Sequence, residues 1–176
     1  MKLIRVPPPP SSSKFSFATF NVDSLLARDG IKLSAIEGID SIRKFDLFGI
    51  CESYLSPKID NSKIRVEGFS PDPFRSDCLS TEGRPKGGVC LFFKDHVPIK
   101  RRSVLEFLEE CVFAEIVLKR KTFFYILAYR SPSQSPEIFS NFLAKLQLTI
   151  DKINLENPFS IIFTGDLNCR SPLFWD

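Results

Sequence analysis

The stretch FTGDLNCRSPLFWD (Phe163–Asp176) decides how the rest of the chain is read. An apolar run, Ser160-Ile161-Ile162-Phe163, has the length and β-branched character of a buried strand. It breaks at Thr164-Gly165 into Asp166-Leu167-Asn168, a carboxylate and an amide set against apolar sequence. Polar groups are costly to bury without partners, so this strand end belongs either to a turn or to a site where polar groups meet. Gly-Asp-x-Asn alone does not separate the two, and other strand ends must be compared with it.

Three earlier runs end in the same way. Phe15 to Asn21 (FSFATFN) alternates Phe with small or polar residues and predicts a strand ending in Asn21-Val22-Asp23. Asp46 to Glu52 (DLFGICE) predicts a buried strand ending in Glu52. Cys111 to Lys119 and Thr122 to Tyr129 flank Arg120-Lys121 as a β-hairpin, although no Gly or Asn marks its turn; its second strand ends in Tyr129-Arg130. Were these ends to converge, Glu52, Asp166 and Asp23 would form an oxygen-rich pocket, with Asn21 and Asn168 as amides and Tyr129 as a phenol. Oxygen donors without His or Cys suit Mg²⁺ or Mn²⁺, which bind one or two carboxylates and fill the remaining positions with water and phosphate.

Between these runs the expectations are simpler. Ile31, Ala35, Ile39, Ile42 and Phe45 recur at helical spacing, predicting an amphipathic helix that Gly38 weakens without breaking. Gly68 to Asp77 is an irregular strand pushed towards an edge or loop by Pro71 and Pro73, and Val89 to Lys94 is a further strand. Arg101 to Glu110 is mixed. Ser135-Pro136-Glu137 is a helix start, followed by a stripe of Phe139, Phe142, Leu143, Leu146, Ile150 and Ile153 that Asn157-Pro158 ends. Helices early and late around a run of strands predict a layered α+β domain, sheets inside and helices outside. The 176 residues, 43% hydrophobic, suffice for one such core, and the 18 Phe read as its packing.

The remaining composition narrows the class. A net charge of +3 permits a polyanionic partner without requiring one. Five scattered cysteines lack zinc-site spacing and give no support for a disulfide framework, so a reducing compartment is expected. Residues 1–13, with four prolines and three serines, read as a disordered leader without a signal core, and no run is long enough to span a bilayer. The expectation is an intracellular protein, nuclear if it acts on genomic DNA.

Five ordered motifs, FNVDSL (Phe20–Leu25), FDLFGICESYL (Phe45–Leu55), FRSDCLSTEGRPKGGVCLFFK (Phe74–Lys94), LAYRSP (Leu127–Pro132) and TGDLNCRSPLFW (Thr164–Trp175), resemble the endonuclease/exonuclease/phosphatase superfamily. More narrowly, they are similar to the apurinic-endonuclease-like domain at the front of non-LTR retrotransposon polyproteins, where it accompanies a reverse transcriptase. The resemblance implies a four-layer α/β/β/α sandwich of the DNase I type over residues 14–176. It implies that Glu52 binds a Mg²⁺ or Mn²⁺ ion with Asp23 as a second or outer contact. Asn21 would orient neighbouring groups, Tyr129 would bind the scissile phosphate, Asp166 would align or deprotonate water, and Asn168 would hold nucleophile and phosphate. DNA would be the partner, with Arg75, Lys86 and Arg170 on its backbone, and neither a membrane nor an organic cofactor is implied.

The sequence departs from the family pattern at one point. The family closes with a Ser-Asp-His stretch, and this chain has one histidine, His96, in a turn-like context that reads as a surface loop. The expectation is a domain incomplete at its C-terminus, with hydrolysis impaired by loss of that half. Two other readings fit the same residues: a non-catalytic retrotransposon-derived remnant, and a superfamily phosphatase or phosphodiesterase with a non-DNA substrate.

Overall fold

The computed structural model describes residues 15–39, 41–78, 86–106 and 110–168. The leader and Arg170 lie outside them. Two four-stranded sheets face one another. The first, in the order β1-β2-β4-β3, comprises β1 (Phe17–Asn21), β2 (Leu47–Cys51), β3 (Phe74–Ser76) and β4 (Val89–Phe93). The second, in the order β5-β6-β7-β8, comprises β5 (Ile99–Arg101), β6 (Cys111–Leu118), β7 (Lys121–Tyr129) and β8 (Ser160–Asp166). Helix α1 (Ala27–Glu37) covers the outer face of the first sheet and α2 (Pro136–Asn154) that of the second, giving the expected α/β/β/α order.

Alternation along the strands builds these layers. In β2 and β4, Leu47, Cys51, Val89 and Leu91 point inwards and meet Val112, Ala114, Tyr125 and Leu127 of the other sheet. Their neighbours Phe48, Ile50 and Phe92 point outwards and pack under α1, where the Phe48 and Phe92 rings stack at 4.7 Å. Phe113, Phe124 and Ile126 likewise face Phe142, Leu146 and Ile153 of α2. Gly49 makes room for the Leu127 side chain of the other sheet, since a β-carbon there would lie 2.7 Å from Leu127 Cδ1. The many phenyl rings are therefore largely interlayer packing.

Two expectations need correction in α1. The helix begins earlier, at Ala27, and Gly38 ends it; a separate 3₁₀ turn follows at Ile42–Lys44. Its buried side chains are Leu33 and Ile36, whereas Ile31 and Ile39 are exposed. A phase shift of two residues satisfies the helical period as well, and contact with the sheet selects it. The α2 start is as read, with Ser135 Oγ accepting from Ile138 N at 3.4 Å. The last strand runs on through Thr164-Gly165-Asp166. Gly165 is required there: its φ is +139°, and a β-carbon would fall 1.8 Å from the Ala128 carbonyl oxygen.

Strand directions set the position of the polar ends. β1 runs parallel to β2, and β8 runs parallel to β7, with Asn21 level with Cys51 and Tyr129 level with Asp166. Four C-terminal strand ends therefore come to one rim of the sandwich. Antiparallel β4 and β6 bring their first residues to the same rim, Val89 opposite Cys51 and Cys111 opposite Ala128.

Candidate active site

Asn21 connects the two sheets at this rim. Its Nδ2 donates to Glu52 Oε1 at 3.0 Å and to Asp166 Oδ2 at 2.7 Å. Beneath it, Thr19 Oγ1 lies 2.6 Å from Thr164 Oγ1 and 3.2 Å from the Tyr125 hydroxyl, so the sheets are joined by hydrogen bonds below the site as well. Asp166 is held from both sides, because its Oδ1 accepts from Asn168 N at 3.0 Å. Asn168 Nδ2 donates to the Arg130 carbonyl at 2.8 Å, which ties the loop after β8 to the end of β7.

Two phenols enclose Glu52. Tyr54 donates its hydroxyl proton to Glu52 Oε2 at 3.0 Å. Burial first, then its bond to Glu52, pushes the Tyr54 phenol well above its ordinary range. Tyr129 is almost wholly buried and faces the same carboxylate. Burial raises its phenol too, with the charges of Glu52 and Glu110 adding to the effect. Both hydroxyls are therefore hydrogen-bond donors at neutral pH. Several non-glycine residues around the rim hold left-handed backbone: Asp23, Glu52, Tyr54 and Asn168 have φ of 46°, 55°, 53° and 48°. Each of these turns the chain sharply as it leaves a strand, a strain of the kind that functional sites concentrate.

The structure thus brings Asn21, Glu52, Tyr129, Asp166 and Asn168 together. Asp23 lies at the edge of this group: its carboxylate is 75% exposed, lies 3.7 Å from Lys32 Nζ, which also donates to the Val22 and Asp23 carbonyls, and adds to the rise of the Tyr54 phenol. Its backbone N donates to Asn21 Oδ1 at 3.2 Å. Lys86 is exposed beside the rim, next to the Gly87-Gly88 segment that pairs with Ser53 and Tyr54.

Arg75 requires a correction. All five of its N–H donors are used within the protein: Nε and Nη2 on Asp77 at 3.0 and 2.6 Å, Nη1 on the Ile59 carbonyl and Asn61, and Nη2 also on the Ser56 carbonyl. A guanidinium has five donors, so none is left for a phosphate. Arg75 clamps the 56–61 loop to β3.

Three rim residues were not among the candidates. Tyr54 is one, two positions after Glu52. Glu110 is another, since its Oε1 accepts from Gly88 N at 2.9 Å; it reaches the rim because β6 starts there. The third is Arg130, buried, with Nη1 donating to the Leu167 and Asn168 carbonyls at 3.0 and 3.2 Å and its guanidinium 4.3 Å from the Phe139 ring centre. The only signals for them were CESY, a carboxylate before a strand, and YRSP.

The donor set fits a hard divalent cation. Glu52 and Asp166 share one amide, each Glu52 oxygen accepts a described bond from one side, and carboxylate oxygens have further lone pairs. Among the described residues no group of three His, Cys, Asp or Glu side chains is disposed around one point, so a cation here would rest on one or two carboxylates.

This architecture is the endonuclease/exonuclease/phosphatase, or DNase I-like, fold. Among solved structures the chain is similar to the endonuclease domain of TRAS1, a telomere-specific non-LTR retrotransposon, at 19% identity and a TM-score of 0.61 over 90% of this chain and 61% of that one. It is also similar to the AP endonuclease LMAP from Leishmania major, at 15% identity and a TM-score of 0.64 over 86% of this chain and 54% of that one. A third is the 3′ phosphatase NExo from Neisseria bound to product DNA hairpin, at 14% identity and a TM-score of 0.59 over 93% and 64%. The chain therefore spans less than two thirds of the length of each. No protein-family profile matches the sequence, and no curated protein matches it. Among the described residues no helix is long and apolar enough to cross a membrane.

Proposed function

We propose that the rim hydrolyses DNA phosphodiesters with the help of Mg²⁺ or Mn²⁺, as the endonuclease of a non-LTR retrotransposon would. The observation that carries this reading is the single Asn21 amide donating to both Glu52 and Asp166 across the two sheets. Glu52, with Asp166 beside it, would hold the cation, whose charge would offset that on the phosphoryl oxygens. Asp166, fixed by Asn21 and by Asn168 N, aligns the attacking water and takes its proton. Tyr129, kept protonated, donates to a non-bridging phosphate oxygen. Asn168, with Nδ2 tied to Arg130, offers its carboxamide oxygen to the water. Lys86 contacts the DNA backbone, and the same role is assigned to Arg170.

The chain's one histidine, His96, is 3.3 Å from Asp46 Oδ1 at the start of β2, the far end of the sandwich from Glu52, and takes no part in this reading.

The test is nicking of supercoiled plasmid in Mg²⁺, alongside Mn²⁺ binding measured by calorimetry. Nicking abolished by EDTA and by Glu52→Ala, with Mn²⁺ affinity lost in the same variant, is the expected result. Nicking indifferent to EDTA, or a Glu52→Ala variant that binds Mn²⁺ and cuts like the parent, overturns the proposal.

A further inference from the structure

The β6–β7 hairpin closes on Lys119 and Arg120 with φ of 49° and 65°. Two-residue hairpins of this type favour Asn-Gly because every other side chain resists positive φ. Here both positions carry long cations, and Lys121 follows; all three are exposed. Neither Lys119 nor Arg120 has a hydrogen-bond or ion-pair partner among the described residues. Charge has been placed where conformation opposes it, and strain of this kind points to a use for the side chains.

Beside the hairpin turn lies a cavity of about 370 Å³, lined by Phe15, Phe123, Phe159, His96, Lys119 and Lys121. Phe159 is 57% exposed, its ring 5.1 Å from that of Phe123 and edge-on to it. Lys121 Nζ sits 3.7 Å from the Phe159 ring centre. The one acid in the lining, Asp46, is already engaged: Oδ2 accepts from Ser16 N and Oγ at 2.8 and 3.0 Å, and Oδ1 lies 3.3 Å from His96 Nε2. The site combines exposed aromatic surface with the uncommitted charges of Lys119 and Arg120, while the Lys121 ammonium lies over the Phe159 ring.

Its position separates it from the catalytic rim. Phe123 pairs with Ser160 at the start of β8, whereas Tyr129 pairs with Asp166 at its end. Six residues of strand at ~3.3 Å each place the two about 20 Å apart.

We propose that the hairpin tip and the cavity beside it form a second nucleic-acid site, which takes an unpaired nucleotide of a single strand. Its base displaces the Lys121 ammonium from the Phe159 face and stacks there, and the phosphates on either side meet Lys119, Arg120 and the released Lys121. A duplex keeps its base faces stacked inside and could use only the cations. The site depends on neither the catalytic reading nor the metal.

The test uses the full chain in EDTA and a fluorescein-labelled oligothymidylate followed by anisotropy, with inorganic polyphosphate and a duplex of equal length as competitors. Lys119→Asn combined with Arg120→Gly restores the favoured turn. That variant is expected to melt above the parent yet bind more weakly, its slope of log K against log salt falling by about 1.4, or about 0.7 for each of two cations. Phe159→Ala is expected to lose about tenfold in oligothymidylate affinity with polyphosphate binding unchanged. Phe159→Leu, which keeps apolar bulk without an aromatic face, should match it and covers the case of a misfolded alanine variant. An unchanged affinity and slope in the turn variant overturns the proposal. So does unchanged binding in the Phe159 variants, an equal loss for polyphosphate, or a duplex that competes as well as the single strand.

Discussion

Asn21 and Asp166 lie 145 residues apart in sequence and 2.7 Å apart in space, one on each sheet of the sandwich. Because Asn21 also holds Glu52, its amide sets the separation of two carboxylates that would otherwise repel. Asn21→Ala should lower plasmid nicking by ~10²–10³, the usual effect of losing one preorganised polar group. Asn21→Asp should do worse in a diagnostic way. Three carboxylates then crowd together, the new acid holds its proton to higher pH, and the metal-free protein gains stability on acidification. Thermal melts in EDTA at neutral and mildly acidic pH check this; a variant that melts higher at neutral pH contradicts the bridging role.

Arg75 provides the opposite kind of prediction, a basic residue whose loss leaves DNA binding intact. It and Asp77 are only 11% and 12% exposed in their side chains, and removing one partner of such a pair typically costs about 3 kcal/mol or more. Arg75→Ala should therefore lower the urea midpoint substantially. Measured well below its melting temperature, its salt dependence of DNA binding should match the parent. A phosphate contact would instead reduce that slope by about 0.9.

The contrast between Asn21 and Arg75 shows what sequence conveys. Phe17–Asn21 is legible from its alternation, Leu47–Cys51 from a continuous apolar run that both its faces bury, and α2 because Ser135-Pro136 caps it. Asn21, Glu52 and Asp166 stand out as polar residues ending apolar strands, and the ordered motifs pointed to their meeting. Arg75 stood out as a DNA contact, and its internal role could not be read because two of its partners are the carbonyls of Ser56 and Ile59, which every residue carries. Glu110 escaped because only the antiparallel pairing of β6 brings its leading end to the rim. In α1 the apolar residues support two helical phases, and the sheet, remote in sequence, selects the one that buries Leu33 and Ile36.

Arg130 should act as a positioning residue. One guanidinium holds the Leu167 and Asn168 carbonyls, and the Arg130 carbonyl in turn accepts from Asn168. Arg130→Met keeps the apolar packing on Phe139 but removes both bonds to those carbonyls, at a cost of about 2–3 kcal/mol. Amide exchange at Asn168 should quicken and nicking should fall, with Mn²⁺ affinity at Glu52 retained. Arg130→Lys should not rescue exchange, because an ammonium has no planar face to lie on the Phe139 ring while it holds the two carbonyls.

Alkaline conditions should open the interface between the sheets. Burial pushes the Cys51 thiol from 9.0 up to about 12, and the Tyr125 phenol from 10.0 up to about 12. Burial raises the Cys90 thiol as well. Below pH 9 these groups are protonated in both the folded and unfolded chain and contribute no pH dependence. Above it the unfolded chain releases protons that the folded chain retains, so stability falls as pH rises towards the folded values, by about 1.4 kcal/mol per pH unit for each group. Cys51→Ala removes one such group from the inner face of β2. Urea titrations under reducing conditions at several pH values between roughly 8 and 11 should show the decline with pH shallower by that amount in the variant. An identical decline in parent and variant would place the alkaline sensitivity elsewhere in the core.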